Sequence, residues 1–294
     1  MGDQRTVVVG VDGTTTSSIT VDLAVAEAVR RSARLLIVHV WPGRYRGRFR
    51  PGRTGGDLVE GRQLLAGAAR RAAAIAPGLV VDTALRTGVA AESLAECSAE
   101  AGLIVIGHRD AKLGRSDWGT TARLLARTSA SPLLVHRGHA GMPGPIVVGV
   151  SGRPAEPALG YAFVQAALSG ADLVAVRAWQ RPPERRDRHP LPVVGDLERR
   201  VAAESLIAAL AGWSRRLPQV SAEPLVVPDL DVPYTLDRAS RRGRLLIAGT
   251  GGRGELTDLL RGPAARTGAH ERRCPVLLVP PHWQVELAAD PVPA

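Results

Sequence analysis

The chain is poor in lysine, aromatic residues and cysteine. Lys112 is the only lysine among 294 residues, aromatic residues make up 3% of the chain, and Cys97 and Cys274 are the only cysteines. Two cysteines do not form a disulfide framework, and we interpret each as a small buried hydrophobe. Because aromatic residues are so few, the hydrophobic cores have to be built from Val, Leu, Ile and Ala.

Long apolar runs are missing as well. No run approaches the roughly 18 residues that a membrane span requires. At the N-terminus, Asp3 and Arg5 lead directly into a predicted strand, without the pattern of a signal peptide. We therefore expect a soluble, cytoplasmic protein that has no membrane partner.

Acidic residues are fewer than basic ones, and the formal net charge is +10. Arginine accounts for almost all of the basic residues, which is typical of GC-rich coding sequences. The arginines cluster at 44–53 and 181–188, each time after the second predicted strand of a half. Two such loops could form an anion-binding surface, but we favour the interpretation that they are solvated. No specific nucleic-acid partner is expected.

What the chain does contain is a long internal repeat. The segments 7–13, 103–107 and 131–135 reappear at 146–152, 245–249 and 274–278, with an offset of 139 to 143 residues. A repeat of this period indicates two copies of one domain. We predict domains at 1–140 and 141–294, with a short linker of Gly and Pro residues near 137–144.

Each half alternates short apolar runs with longer helical patterns, which is typical of βαβ units. Strands are predicted at 5–12, 34–41, 79–85, 102–107 and 132–136, and again at 145–151, 171–179, 220–227, 244–249 and 275–279. Helices are predicted at 16–32, 57–76, 90–101 and 119–130, and again at 155–169, 196–217, 232–242 and 263–273. The fold class is therefore α/β, with two tandem doubly wound domains, each a five-stranded parallel sheet flanked by helices in a Rossmann-like arrangement.

In such sheets a ligand binds beyond the carboxyl ends of the strands, where the strand order reverses. This rule nominates the loops after strands 1, 2 and 4 of each half. The residues at these places are Asp12 or Ser151, Val40 or Ala178, and Gly107 or Gly249.

A glycine-rich loop follows strand 4 of the second half, with the spacing Gly249-x2-Gly252-x9-Gly262. Glycines at such positions let the backbone approach a bound anion, and the next helix would direct its first amides at a phosphate. Glycine-rich turns also connect strands to helices without any ligand, so the spacing alone leaves both interpretations open.

The combined motifs resemble the universal stress protein family in its tandem form. They include Gly10-Val11-Asp12-Gly13 after strand 1, the end of strand 2 at 39–41, the glycine loop, and Cys274-Pro275-Val276 at strand 5. The resemblance covers both halves and implies an adenine-nucleotide alpha hydrolase-like fold. It also implies that some members bind ATP and others do not. In the binders, the Asp after strand 1 and the residue that ends strand 2 hold the adenosine, while the glycine loop and its Ser/Thr hold ribose and phosphates.

Neither half carries the whole pattern of the binders. The first half keeps Asp12, Gly13, Val40, Gly107, Gly119 and Thr120, but its loop is one residue short and has Asp110 at the second glycine position. The second half keeps Gly249, Gly252 and Gly262, but has Ser151, Ala178 and Pro263 at the other positions. A carboxylate beside a phosphate is repulsive unless it binds Mg²⁺ or points away. Serine is a weaker partner for ribose hydroxyls than a charged carboxylate.

We therefore predict a binding module for an adenine nucleotide, ATP or another, with the ligand in the first half. Mg²⁺ stays open as a companion ion. No general base or nucleophile stands out, so a turnover enzyme is not expected. Two alternatives remain: an interaction module whose sites have decayed, and a weak ATPase or nucleotide transferase that uses Asp12 or Asp110 with Mg²⁺.

Assembly and metal binding are predicted from the same features. The resemblance implies that the two halves pack as an intramolecular pseudo-dimer, and a further homodimer stays open. His136 and His139 lie close in sequence, but no cysteine or second histidine pair accompanies them, so no zinc site is predicted.

Overall fold

A computed structural model describes residues 6–14, 16–41, 56–107, 119–137, 143–150, 157–179, 192–228, 235–236, 238–239, 241–250 and 274–285. The first half contains β1 (Thr6–Val11), α1 (Thr16–Arg30), β2 (Leu35–Trp41), α2 (Gly56–Ile75), β3 (Val81–Thr87), α3 (Ala90–Ser98), β4 (Ala101–Gly107), α4 (Gly119–Thr128) and β5 (Leu133–His136). The second half contains β6 (Ile146–Gly149), α5 (Pro157–Ser169), β7 (Leu173–Trp179), α6 (Pro192–Arg216), β8 (Ala222–Pro228), β9 (Leu245–Gly249) and β10 (Val276–Val279).

The ten predicted strands are confirmed, with ends that differ from the predicted ones by at most two residues. Helix α6 begins at Pro192, earlier than predicted, and α3 ends at Ser98 because β4 begins at Ala101. Of the predicted helix at 232–242, residues 235–236 and 238–239 are helical. The predicted helix at 263–273 lies outside the described residues.

The strands form one ten-stranded sheet in the order β3-β2-β1-β4-β5-β10-β9-β6-β7-β8. Within each half the five strands are parallel, as predicted. The halves join where β5 pairs with β10 in the antiparallel sense, with Leu134 opposite Leu277. We call this pairing the seam. The sequence predicted two parallel sheets but not that they are continuous.

Two hydrophobic clusters cover the two faces of this sheet, and each one includes residues of both halves. The first cluster lies beneath α1, α2, α5 and α6 and includes Val7, Val9, Leu134 and Leu277. The second cluster contains Val8 of β1 and residues of α3 and α4 on the opposite face. Alternate side chains of a strand point to opposite faces, which explains why Val7 and Val8 belong to different clusters. The two halves therefore share both of their cores.

A buried polar network crosses the seam between α1 and α5. The Glu27 side chain is 5% exposed and accepts hydrogen bonds from Arg31 Nε at 3.1 Å and from Gln165 Nε2 at 3.2 Å. Arg30 also pairs with Glu27, and Arg31 donates a second hydrogen bond to the side-chain oxygen of Gln165. A buried carboxylate is tolerated when it is paired and hydrogen-bonded in this way. The network thus connects the first half to the second through specific polar contacts.

The ring of Tyr161 lies beside this network, with the Arg31 guanidinium 5.3 Å from its centroid. Burial raises the pKa of the Tyr161 hydroxyl to about 12, although the positive charge of Arg31 acts in the opposite direction. The pKa of Arg31 is raised as well, because the nearby Tyr161 and Glu27 outweigh the effect of burial. Both groups therefore keep their protons throughout the ordinary pH range.

We predict that the free energy of unfolding falls as the pH rises from 10 to about 12. The unfolded chain releases the tyrosine proton near pH 10.0, whereas folded Tyr161 keeps it up to about 12. Between these values the folded state binds more protons, so stability is lost with a slope approaching about 1.4 kcal/mol per pH unit. Urea denaturation across this range measures the slope. Tyr161→Phe should remove this contribution, and an unchanged slope in that variant would contradict the assignment.

A second prediction concerns the close contact between α5 and α6. A Cβ atom at Gly160 would lie 2.2 Å from Trp213 Cζ2, whereas a Cβ atom at Gly212 would meet nothing within 4 Å. Gly160→Ala should therefore lower the free energy of unfolding by about 1–3 kcal/mol through overpacking. Gly212→Ala is the matched control and should raise it by about 0.5–1 kcal/mol through helix propensity. Chemical denaturation compares the two, and equal effects would show that the Trp213 contact is unimportant.

Candidate functional site

The register of the first half brings the candidate residues to the same edge of the sheet. Val11 is level with His39 on β2, and Gly10 is level with Ile106 on β4. One step further along the strands, Asp12 and Val40 follow on neighbouring strands, beside the end of β4 at Gly107. The strand order reverses between β1 and β4, where a doubly wound sheet opens a crevice. The structure thus brings Asp12, Val40 and Gly107 together, as the sequence predicted.

Asp12 organises the loop that leads from β1 into α1. Its Oδ1 atom accepts hydrogen bonds from the Thr14 backbone N at 3.1 Å, Thr14 Oγ1 at 2.6 Å and Ser17 Oγ at 3.0 Å. The Asp12 backbone N donates to Ser17 Oγ at 3.3 Å. Asp12 is an exposed residue at the crevice, and the loop holds the orientation of its carboxylate.

Two glycines of the site allow close approaches of the backbone. Gly13 has φ of +77°, which favours glycine, and a Cβ atom there would lie 2.7 Å from Leu64 Cδ1 of α2. A Cβ atom at Gly107 would lie 2.7 Å from Thr20 Oγ1 and 3.5 Å from Thr16 Oγ1. The end of β4 thus lies directly against the first turns of α1. Packing therefore favours glycine at both positions, in addition to the predicted role of these residues in ligand binding.

His39 ties the ends of β1 and β2 together. Its Nδ1 atom is 2.8 Å from the carbonyl oxygen of Val11, so Nδ1 carries a proton and donates it. Gly61 of α2 leaves room for the ring, because a Cβ atom there would lie 3.0 Å from His39 Cδ2. The acceptor of this hydrogen bond, Val11, directly precedes Asp12, so the bond helps to fix the start of the Asp12 loop.

Helix α4 begins at the predicted Gly119 and Thr120, and Thr120 is exposed. The first amides of a helix have no partners within the helix and carry a partial positive charge, so they attract anions. This helix belongs to the same half as Asp12 and follows β4, as a phosphate-binding helix would. The loop between Gly107 and Gly119, with Asp110, lies outside the described residues.

The second half is described less completely at the equivalent place. Gly249 ends β9, and the backbone N of Thr250 donates to the carbonyl oxygen of Val279 at 2.9 Å, which fixes the strand end against β10. Ala178 lies in β7, as predicted. Gly252 and Gly262 lie outside the described residues, together with Ser151 and Pro263. The predicted phosphate loop of this half therefore stays a prediction.

The hydroxyl side chains after Asp12 were not among the predicted site residues. Thr14 Oγ1 is 2.9 Å from Thr16 Oγ1, and Thr20 Oγ1 donates to the Thr16 carbonyl oxygen at 2.8 Å. Thr20 is fully buried. The signal was present, since an unbroken run of Thr and Ser follows Asp12 and Gly13 at 14–18. These hydroxyls lie where the first turns of α1 pack against the end of β4.

The described residues were also compared with the requirements of a metal site, a reactive thiol and a membrane span. Among those residues no group of three or more His, Cys, Asp or Glu side chains could hold a metal ion. Cys274 is buried, as predicted, whereas Cys97 is only partly buried. Burial nevertheless raises the pKa of the Cys97 thiol, which disfavours the reactive thiolate. No helix of the described residues is long and apolar enough to cross a membrane.

Comparison with known proteins gives consistent matches along the chain. The model of the universal stress protein family matches residues 4–137 and 142–280. A universal stress protein of Mycobacterium tuberculosis is 30% identical over 297 residues, which cover 94% of this chain and 97% of that protein. A universal stress protein of Archaeoglobus fulgidus has the same fold, with a TM-score of 0.64 at 13% identity, covering 95% of this chain and 97% of that chain. A universal stress protein solved in complex with cAMP is 25% identical, has a TM-score of 0.36, and covers 47% of this chain and 100% of that chain.

The contact of Gly107 with α1 leads to a testable prediction. Gly107→Ala should lower the free energy of unfolding by about 1–3 kcal/mol, since the new Cβ atom would overlap the Thr20 hydroxyl. In the background of Thr20→Ala, which removes that hydroxyl, the cost should be clearly smaller. Urea denaturation of the four proteins of this double-mutant cycle measures the coupling. Equal costs in both backgrounds would exclude Thr20 as the residue that requires glycine at position 107.

Proposed function

The chain belongs to the universal stress protein family as a tandem of two domains, and we propose that it is an adenine-nucleotide-binding regulatory module of the stress response whose first domain holds the ligand. The observation that carries the proposal is the placement of Asp12, Val40 and Gly107 beside one another at the strand-order reversal of the first half. Ligands of doubly wound sheets bind at this place.

In the proposed complex Asp12 and Val40 hold the adenosine. An exposed carboxylate accepts hydrogen bonds from ribose hydroxyls, and such charge-assisted bonds are about twice as strong as neutral ones. Val40 is partly buried against the second hydrophobic cluster and offers an apolar surface for the base. The loop hydrogen bonds hold the Asp12 carboxylate in place before the ligand arrives, which reduces the entropy lost on binding.

The phosphates would lie against Gly107 and the first residues of α4, Gly119 and Thr120. The first amides of a helix, which have no partners within the helix, suit an anion. If Mg²⁺ accompanies the nucleotide, phosphate oxygens would supply ligands to it. In the second domain Gly249, Gly252 and Gly262 would serve phosphate, but Ser151 replaces the carboxylate, so we propose weaker or no nucleotide binding there.

Binding is favoured over turnover. Asp12 is the acidic candidate within the described residues, and its Oδ1 atom already accepts three hydrogen bonds from the loop. A carboxylate held in one orientation by the loop is suited to holding a ligand. The same hydrogen bonds also favour the alternative function, an interaction module. In that case the role of Asp12 is to stabilise the loop, and it binds no ligand. We place either activity in the cytoplasm, where thiols stay reduced, because neither Cys97 nor Cys274 forms a disulfide.

The proposal predicts that ATP with Mg²⁺ raises the melting temperature of the protein. A ligand at about 100 times its Kd stabilises the folded state by about 2.7 kcal/mol. Differential scanning calorimetry with ATP, AMP and a non-adenine nucleotide measures the shift and its base preference. The absence of any shift at millimolar ATP would overturn the proposal and favour the interaction module.

Three variants assign the binding to a half of the chain. Asp12→Ala should abolish the ATP-dependent shift, whereas Ser151→Ala, the matched change in the second half, should leave it intact. Asp12→Asn keeps an oxygen that can accept the loop hydrogen bonds but lacks the charge, so it should melt like the original protein without ligand and respond less to ATP. Loss of the shift in Ser151→Ala instead would move the site to the second half.

A further inference from the structure

The two edge strands of the sheet occupy equivalent positions in the repeat but differ in sequence. β3 pairs with β2 from Leu35 opposite Val81, and β8 pairs with β7 from Leu173 opposite Ala222. Leu35 lies opposite Val7, the first residue of the repeat on β1, and Leu173 lies opposite Ile146, the first residue of the repeat on β6. Leu35 and Leu173 therefore occupy corresponding positions. Thr83 and Thr87 of β3 therefore correspond to Pro224 and Pro228 of β8. The edges differ at two matched backbone positions.

Pro224 and Pro228 of β8 occupy positions whose backbone N and C=O groups point away from β7, toward the open edge of the sheet. The backbone N of Leu173 donates to the carbonyl oxygen of Ser221, so residue 221 and every second residue after it face β7. Pro224 and Pro228 belong to the alternate set, which faces outward. Proline has no N–H group to donate, so it blocks the addition of a further strand.

The backbone groups of β3 alternate between β2 and the open edge in the same way, but no proline lies among its outward-facing residues. The backbone N of Leu35 donates to the carbonyl oxygen of Val80, and the N of Gly88 donates to that of Trp41, so even-numbered residues face β2. The outward N–H and C=O groups belong to Val81, Thr83, Leu85 and Thr87. Within the described part of the chain no strand pairs with this edge. Thr83 and Thr87 are exposed, and so is Val80 at 54%.

The side chains of β3 are self-complementary. Asp82 and Arg86 lie two residues on either side of Ala84, and all three point to the same face of the sheet. If a second β3 pairs antiparallel about Ala84, Asp82 of one chain lies directly opposite Arg86 of the other, twice. Thr83 then lies opposite Leu85, and Val81 opposite Thr87, so every outward N–H and C=O group finds a partner. Opposite charges across a strand pair are favourable, and the pairs that are not hydrogen-bonded bring side chains closest.

We propose that the outer edge of β3 is a docking surface for a second copy of this chain, with the two β3 strands paired antiparallel about a two-fold axis at Ala84. The present partners of the charged side chains do not prevent this pairing. Asp82 contacts Arg34 at 2.5 Å and Arg86 contacts Glu96 at 3.2 Å, but all four side chains are at least 39% exposed. Ion pairs this exposed contribute little and exchange partners readily.

The blocked edge decides the size of the assembly. With two open edges, the ten-stranded sheets would add to one another without limit. Because Pro224 and Pro228 close the β8 edge, self-association through β3 stops at two chains, which is a closed two-fold assembly. The symmetric placement of Asp82 and Arg86 favours a second copy over an unrelated extended peptide. A pairing of seven residues on each side is small, so we expect a concentration-dependent dimer in rapid exchange.

Sedimentation analysis of the full chain, from micromolar to near-millimolar concentration, tests the proposal. The expected result is reversible conversion from a 31.0 kDa species to one of twice that mass. Thr83→Pro, which introduces the residue that β8 carries at the matched position, should abolish the larger species. A chain that stays monomeric at the highest concentration would overturn the proposal, and so would a folded Thr83→Pro variant that still dimerises like the original protein.

Charge reversal gives a second test that does not depend on how proline is tolerated. Asp82→Arg and Arg86→Asp should each weaken the dimer about tenfold or more, because like charges then face each other at two symmetric places. The double variant should restore it. Glu223→Arg on β8 is the matched control and should change nothing. Melting temperatures confirm that each variant is folded. Failure of the double variant to restore the dimer, or equal weakening by Glu223→Arg, would also overturn the proposal.

Discussion

The antiparallel seam between β5 and β10 is the interaction on which the rest of the molecule depends. It turns two five-stranded sheets into one and lets each hydrophobic cluster run through both halves. Polar contacts secure it from several sides, including Gln165 with Glu27 and the Arg137 Nε bond of 2.9 Å to the Cys274 carbonyl oxygen. Because β5 and β10 are in the middle, β3 and β8 become the edges. The seam therefore determines which strands can meet other molecules.

The sequence predicted the elements well, and the resemblance implied that the halves pack as a pseudo-dimer, but neither predicted the strand pairing at the seam. Alternation of apolar runs with helical patterns identifies βαβ units in each half, because parallel strands buried on both faces are continuously apolar. The same pattern does not say what lies beyond the last strand of a half. A signal was available nonetheless. Residues 133–135 and 276–279 are apolar throughout, whereas an edge strand usually carries polar residues, and the structure buries both segments. Two such strands at the ends of two sheets indicate that each end has a partner.

The candidate site was predicted in its backbone and missed in its side-chain detail. The rule that ligands bind at a strand-order reversal was enough to bring Asp12, Val40 and Gly107 together, since it depends only on topology. The role of Thr20 depends on the exact distance between α1 and β4, which no spacing in the sequence specifies. Gly107 shows the consequence: a glycine interpreted as room for a phosphate is also required by the Thr20 hydroxyl. Packing against Thr20 thus gives glycine at position 107 a reason that does not depend on a ligand.

The seam also has a consequence for the order in which the protein can be made. β5 ends at His136, while its partner β10 ends at Val279, so 143 more residues must be synthesised before the two strands can pair. At about 5–20 residues per second this interval lasts roughly 7–30 s. Throughout it, the nascent first domain displays the apolar edge of Leu133–Val135, the kind of edge that invites association with neighbouring chains. The finished molecule hides this surface at its centre, so crowding by nascent chains is a hazard for the growing protein that the folded one no longer faces.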